Sequence, residues 1–267
     1  MGAQQLYNCV VPTAYGMLIV NRNDWDEFDG MRFGVGADLR EFGTYAQPEL
    51  DALAQIIAQL PPDRVVLDVG ANLGVHSLWF STLVGPRGRV LAFEAQRIVF
   101  QMLMGNLALN SVENVHARNV AVGASCGSLR MPALDYASRR NFGGLELSPR
   151  SATTATGETV GEMVEVVTLD SLALERVDFI KIDVEGMESD VLAGARNTIS
   201  RHRPFLQAEW LGRDAGALPR ALVGDYGYRV FQYGMNLLCV PAEQLRITLA
   251  GLPEITLAGL AESYPVS

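Results

Sequence analysis

The stretch VVLDVGANLG, Val65 to Gly74, runs from an apolar segment through one acidic residue into a glycine, and a second glycine follows four positions later. A buried strand turns sharply into a helix beneath a bound nucleotide in this way. Working outward, strand and helix signals alternate. RVVLDV reads as a strand, VHSLWFSTLV as a helix and GRVLAFEA as a second strand. Ile98, Val99, Met102, Leu103 and Leu107 mark another helix, and NVHARNVAV reads as a third strand. Such a βαβαβ unit demands right-handed crossovers and a parallel sheet with helices on both faces, with ligands at the carboxyl ends of the strands. Upstream, Leu50, Leu53, Ile56, Ile57 and Leu60 keep helical spacing until Pro61-Pro62 stops it. Downstream come VEVVTLDSL, VDFIKIDVEGME, a helix with Met187, Val191, Leu192, Ala195 and Ile199 on its apolar face, and the strand PFLQAEW. YRVFQYG and NLLCVP read as an antiparallel hairpin.

With 267 residues, 49% hydrophobic and 19% charged, the chain can bury one sizeable core. Residues 1–45 hold short β-prone runs broken by Gly and Asp, YGMLIVNRND and MRFGVGADLREFG. They are read as an N-terminal extension, strands or a loop, packed on a single domain of residues 46–267. Residues 123–163, with RRNFGG and SPRSATTATGETVGE, read as a long functional loop. The two copies of ITLAGL, at Ile247 and Ile255, are too short to signal a repeat. A formal net charge of -9 speaks against nucleic acid or an anionic membrane as partner. Cys9, Cys126 and Cys239 are an odd, widely spaced set without metal-site spacing, which fits a reducing compartment. Neither a leader pattern nor a spanning segment is evident, so a cytoplasmic protein is expected, with a homo-oligomer allowed.

A dinucleotide site wants G-x-G-x-x-G, whose middle glycine admits a pyrophosphate at the helix N-terminus. Here the window is Gly70-Ala71-Asn72-Leu73-Gly74, with Asp68 just before it. A carboxylate there would repel a diphosphate and favour a ligand with positive charge, and S-adenosylmethionine, with a sulfonium and an ammonium, fits. The competing reading is an ordinary strand-to-helix turn. Glu94 ends the second strand, where an acid accepts both ribose hydroxyls. NAD would want the same acid, so the loop decides between the two cofactors. Adenine is expected over the third strand, near Val120 and Ala121.

The segments LDVGANLG, FEA, NLALNSVENV, NVAVG, TLDSL, VDFIKIDVEGMESDVLAGA and RPFLQAEW, in this order from about Val65 to Trp210, resemble the FkbM family of S-adenosylmethionine-dependent methyltransferases. DVGANLG is shared with many methyltransferases, whereas IKIDVEG followed by VLAGA is more specific. The resemblance implies a class I methyltransferase, Rossmann-like α/β three-layer sandwich, with a seven-stranded, mostly parallel sheet that ends in an antiparallel hairpin. It also implies methyl transfer to a hydroxyl oxygen of a small, sugar- or polyketide-like acceptor. The alternatives are an NAD-dependent oxidoreductase and a non-catalytic nucleotide-binding module.

In FIKIDVEGME, Lys181, Asp183 and Glu185 fall at alternate positions and share one face while the chain is extended. Lys181 is expected to pair with Asp183, because a buried charge needs a partner. Asp183 is the candidate to orient the acceptor hydroxyl or take its proton, beside the cofactor. Glu185 is a second catalytic candidate, with an acidic first helical turn as its structural alternative, and Glu209, ending PFLQAE, is the third. No metal is assigned, although three nearby carboxylates suit Mg²⁺ in principle. His76, His116 and His202 are not expected to act as bases. Asn141, in NFGG, reaches the site only if the long loop folds over it.

Overall fold

A computed structural model describes residues 6–145, 161–212, 214–244 and 252–264. The chain opens with two hairpins, β1 (Asn8–Thr13) with β2 (Gly16–Asn21), and β3 (Asp26–Phe28) with β4 (Met31–Phe33). Helices α1 (Val35–Glu41) and α2 (Gln47–Ala58) follow. Next come β5 (Val65–Val69), α3 (Val75–Leu83), β6 (Arg89–Phe93), α4 (Arg97–Leu109) and β7 (Val115–Arg118), then three strands of a side sheet, β8 (Ala121–Val122), β9 (Gly127–Pro132) and β10 (Gly161–Val167). The remainder is β11 (Phe179–Ile182), α5 (Glu188–Ala193), α6 (Arg196–His202), β12 (Phe205–Glu209), α7 (Ala217–Gly224), β13 (Tyr228–Tyr233), β14 (Asn236–Pro241), β15 (Glu254–Ile255) and α8 (Leu257–Ser263).

All five residues of β5 are buried, which explains its unbroken apolar run around Asp68: a central parallel strand is covered on both faces. The main sheet has the order β15-β13-β14-β12-β11-β5-β6-β7. From β7 to β12 all neighbours are parallel, β14 runs antiparallel to β12, and β13 antiparallel to β14. This is the α/β sandwich with its closing hairpin that the resemblance implies. An eighth strand, β15, adds two residues to the β13 edge. One core layer joins the N-terminal hairpin, α1 and α2 to α3 and α4, and the other lies under α5, α6 and α7. The order of connection reverses between β5 and β11, and this switch point is where an open α/β sheet takes its ligand.

Several expectations need correction. The third strand breaks at Asn119, whose side-chain amide donates to the Glu94 and Ala95 carbonyls at 2.8 and 3.1 Å, and Ala121–Val122 leaves for the side sheet. Residues 123–163 are not one loop, because β9 and the start of β10 lie within them. Most of SPRSATTATGETVGE, and most of the first ITLAGL, lie outside the described residues. The helix expected from Met187 to Ile199 is two, α5 and α6. Between them a Cβ on Gly194 would lie 2.1 Å from the Gly123 carbonyl oxygen, and Asp170 receives the N–H groups of Asn197 and Thr198 to start α6. In the N-terminal segment, Val35–Glu41 is helical rather than strand or loop, with Val35 and Leu39 in the core.

Candidate active site

The loop after β5 is tied to the strand beside it. Gly70 has φ 81°, and a Cβ there would lie 1.7 Å from the Asp183 carbonyl oxygen, so only glycine fits. The N–H groups of Gly70 and Ala71 both donate to the Phe93 carbonyl, at 3.0 and 2.9 Å. Asn72 donates its N–H to Glu94 Oε2 at 2.9 Å, and Gln96 donates its own to Glu94 Oε1 at 2.7 Å. Glu94 therefore braces the loop with one oxygen and its own turn with the other. Burial pushes its carboxyl up to about 7, although the N–H donors of Gln96 and Asn72 oppose the shift.

A cavity of about 890 Å³ opens over the switch point, within the size range of small-molecule sites. Gly70, Asn72, Glu94, Val120 and Ala121 lie on its wall, as do Asp183, Glu185 and Glu209. From β7 to β12 is four strand spacings, about 19 Å, so the two groups flank the switch point with room for an extended ligand. Two of the expected ligand contacts are placed elsewhere. Asp68 is fully buried beneath the loop, accepts a 2.6 Å hydrogen bond from Ser77 Oγ and lies 3.5 Å from Lys181 Nζ. It sits one residue inside the strand, so its side chain faces α3 and Lys181 rather than the cavity. Gly74 caps the N-terminus of α3 and is not on the wall either.

Lys181 is buried between carboxylates, with Nζ 3.2 Å from Asp183 Oδ2 and donating to the Gly70 carbonyl at 3.2 Å. Burial opposes its charge, but Asp183, Asp68 and Glu49 outweigh this and push its pKa up. The lysine thus joins the glycine-loop side to the acid side. Asp183, Glu185 and Glu209 bring carboxylate oxygens within 4.8 Å of one another. Burial, then repulsion from Asp183, Glu185 and Glu188, pushes Glu209 up to about 8, so it carries a proton at neutral pH. Glu185 has φ 53°, and the tight turn is closed by Glu188, whose Oε1 accepts the N–H groups of Val184 and Gly186 at 3.2 and 3.1 Å.

Residues 68–230, more than half of the chain, match the sequence model of the methyltransferase FkbM domain. The chain belongs to the FkbM methyltransferase family. It is similar to the methyltransferase sdnD of Sordaria araneosa, 32% identical over 163 residues, covering 52% of this chain and 62% of that protein. It is also similar to the 31-O-demethyl-FK506 methyltransferase FkbM of Streptomyces tacrolimicus, 31% identical over 163 residues with 52% and 62% covered. The 2-O-methyltransferase NoeI of Sinorhizobium fredii (strain NBRC 101917 / NGR234) is 27% identical over 224 residues, 74% of this chain and 86% of that one. The match to sdnD thus spans less than two thirds of that relative. Among solved structures, the methyltransferase FkbM of Methylobacillus flagellatus KT aligns with a TM-score of 0.49 at 21% identity, over 68% of this chain and 45% of that one.

The FkbM-family domain is roofed by segments whose contribution the sequence hid. Tyr45, Asp38 and Val35 reach the cavity wall from the N-terminal extension, and Asn141, Gly143 and Gly144 from the NFGG turn. Asp24, buried, holds the two together: its oxygens accept the N–H groups of Gly36 and Phe142, each at 2.9 Å. The turn is further anchored by Gln96 Nε2, which donates to the Phe142 carbonyl at 2.7 Å. His76 is buried on the wall, with Nε2 3.1 Å from Glu49 Oε1. Glu49 also accepts from Gln207 Nε2 at 2.5 Å and Asn236 Nδ2 at 2.9 Å. An isolated Glu after Pro48 and a lone His in a first helical turn bear no local mark of such a network. His202 lies away from the cavity, its Nε2 3.0 Å from the Leu174 carbonyl, and His116 is exposed on β7. Among the described residues no helix is long and apolar enough to cross a membrane.

Proposed function

We propose that the protein transfers the methyl group of S-adenosylmethionine to a hydroxyl oxygen of a small, sugar- or polyketide-like acceptor. The observation that carries this reading is a single cavity with Glu94 on one side of the switch point and Asp183 on the other, in a family of methyltransferases. The donor set fits the cofactor. Each Glu94 oxygen spends one acceptor site on a backbone N–H and keeps others for ribose hydroxyls, while Val120 and Ala121 offer a flat apolar wall for adenine. Gly70 and Asn72 form the loop against which the cofactor lies. Asp68 acts from below by holding Lys181, not by touching ligand. The preference for this cofactor over a dinucleotide comes from the wall, where the carboxylates of Asp183 and Glu185 oppose a pyrophosphate and Lys181 is already paired.

S-adenosylmethionine supplies an electrophilic methyl group, so the chain's own task is alignment and exclusion of water. Asp183 accepts the proton of the acceptor hydroxyl. Glu209, protonated at neutral pH, donates a hydrogen bond to a neighbouring oxygen of the acceptor, and Glu185 accepts one from a second hydroxyl. No metal ion is assigned a role, and Lys181 beside Asp183 offsets part of the trio's charge. Residues 1–45 serve as an extension that completes the acceptor side, on the domain formed by 46–267. Asp183→Asn tests this: turnover should fall by about 10² or more while S-adenosylmethionine affinity holds. The measurement is single-turnover transfer of labelled methyl in EDTA, beside calorimetry and thermal melting. A variant that melts early but transfers methyl at the wild-type rate would reduce Asp183 to a partner of Lys181, and loss of wild-type transfer in EDTA would bring a metal into the site.

A further inference from the structure

The β3–β4 hairpin pairs Asp26 with Phe33, Glu27 with Arg32 and Phe28 with Met31. Directly opposed residues of an antiparallel pair, and residues two apart on a strand, point to one face. Phe28, Met31 and Phe33 therefore share a face, with Asp26 at its edge beside Arg139, while Glu27 and Arg32 take the other. The polar face is engaged, because the Arg32 guanidinium lies 4.5 Å from the Trp25 ring centre and Arg139 lies 4.5 Å from the same ring. The apolar face stands open, with Phe28 76%, Met31 69% and Phe33 42% exposed. Phe33 is also on the wall of the cavity, followed there by Gly34 and Val35. Two more exposed apolar side chains, Leu211 at 39% and Met235 at 64%, stand on the same wall from the β12 side.

A single exposed apolar residue needs no explanation, but a stripe that runs without a break into a cavity marks the path of a ligand. The same cavity is polar at the acid trio. We infer that the acceptor is amphipathic: a hydroxyl-bearing ring lies against Asp183, and an apolar chain attached to it leaves the cavity along Phe33, Met31 and Phe28. The inference rests on the methyl-transfer reading and adds the class of acceptor to it. From Phe33 to the Met31–Phe28 rung is about 7 Å of strand, so the stripe holds a short alkyl chain and no more.

The test uses protein carrying carbon-13 in its methionine methyl groups, saturated with S-adenosylmethionine and titrated with methyl or octyl β-glucoside below the micelle concentration. Met31→Leu assigns the Met31 signal. Octyl glucoside should shift the Met31 and Met235 signals saturably, and methyl glucoside should not, since each buried methylene improves binding about three- to fourfold. Phe28→Ser, at an exposed position, should weaken octyl glucoside binding about tenfold or more and leave S-adenosylmethionine affinity unchanged. A Met31 signal indifferent to octyl glucoside, or equal affinity for the two glucosides, overturns the inference. So does a dimer that Phe28→Ser converts to monomer, which would assign the stripe to a second copy, or capture by phosphatidylcholine vesicles that the variant loses. Failure of S-adenosylmethionine to saturate the sample would instead count against the methyl-transfer reading.

Discussion

Glu94 carries two duties that pull in different directions. It is on the cavity wall where a ribose would lie, and it is buried while receiving the N–H groups of Asn72 and Gln96. Glu94→Ala therefore removes more than a ligand contact: each stranded N–H costs about 1–3 kcal/mol, so the loop should loosen before any ligand arrives. The expected result is weaker S-adenosylmethionine binding together with a lower Tm, read by calorimetry and melting, and an unchanged Tm would show that the brace is dispensable. Glu209 makes a prediction through its proton. Its carboxyl is pushed up to about 8 by burial and by Asp183, so it is a donor below that pH and an anion among anions above it. Single-turnover transfer should fall as pH rises through about 8, and Glu209→Gln, which keeps an N–H donor, should flatten that fall. A wild-type rate that rises through about pH 8, with the variant slow throughout, would assign Glu209 the opposite role, that of base.

At the scale of elements, the N-terminal segment is joined to the domain by side chains that imitate a strand. Asn106 of α4 accepts the Ile19 N–H at 2.6 Å and donates to the Leu73 carbonyl at 2.8 Å, and Asn110, one turn on, accepts the Met17 N–H and donates to the Met17 carbonyl, both at 2.9 Å. The open edge of β2 is thereby satisfied without a neighbouring strand. The roof depends on Asp24 in the same way. Its burial raises its pKa against two backbone donors, one on α1 and one on the NFGG turn. Asp24→Ala should let both segments open together, and the readout is hydrogen exchange. The Gly36 and Phe142 amides should exchange at least about tenfold faster while those of β5 stay protected. Uniform acceleration across the sheet would mean that Asp24 stabilises the whole fold rather than the roof.

Across the whole molecule, two buried carboxyls set the sign of its pH response. Glu94 and Glu209, shifted up to about 7 and about 8, keep protons in the folded chain that the unfolded chain has lost above the ordinary 4.5. The folded state binds more protons in that window, so their stabilisation is fully present below about pH 4.5 and is lost as pH rises through about 7 and 8. Glu49 works the other way: burial opposes ionisation, but the His76 contact and the Gln207 hydrogen bond hold its pKa below the usual range. Glu49's contribution changes only as pH falls below its ordinary 4.5, so between about pH 5 and about pH 8.5 Glu94 and Glu209 set the sign: Tm should be higher at about pH 5, and the reverse order would contradict the net burial of uncompensated acid. What the sequence by itself determined follows from short-range rules. The buried run Val65–Val69, the glycine at 70 and the alternation of strand and helix are set by steric and solvation preferences that act within a few residues, and they sufficed for the parallel strands, the closing hairpin and the places of Glu94, Asp183 and Glu209 at strand carboxyl ends. Only the tertiary structure decided that Asp68 faces Ser77 and Lys181 instead of ligand, that Glu49, His76, Gln207 and Asn236 form one network, and that Asp24 closes a roof from segments more than a hundred residues apart. Such side chains get their meaning from partners brought beside them by strand order and by the packing of helices on the sheet, and no local pattern can carry that information.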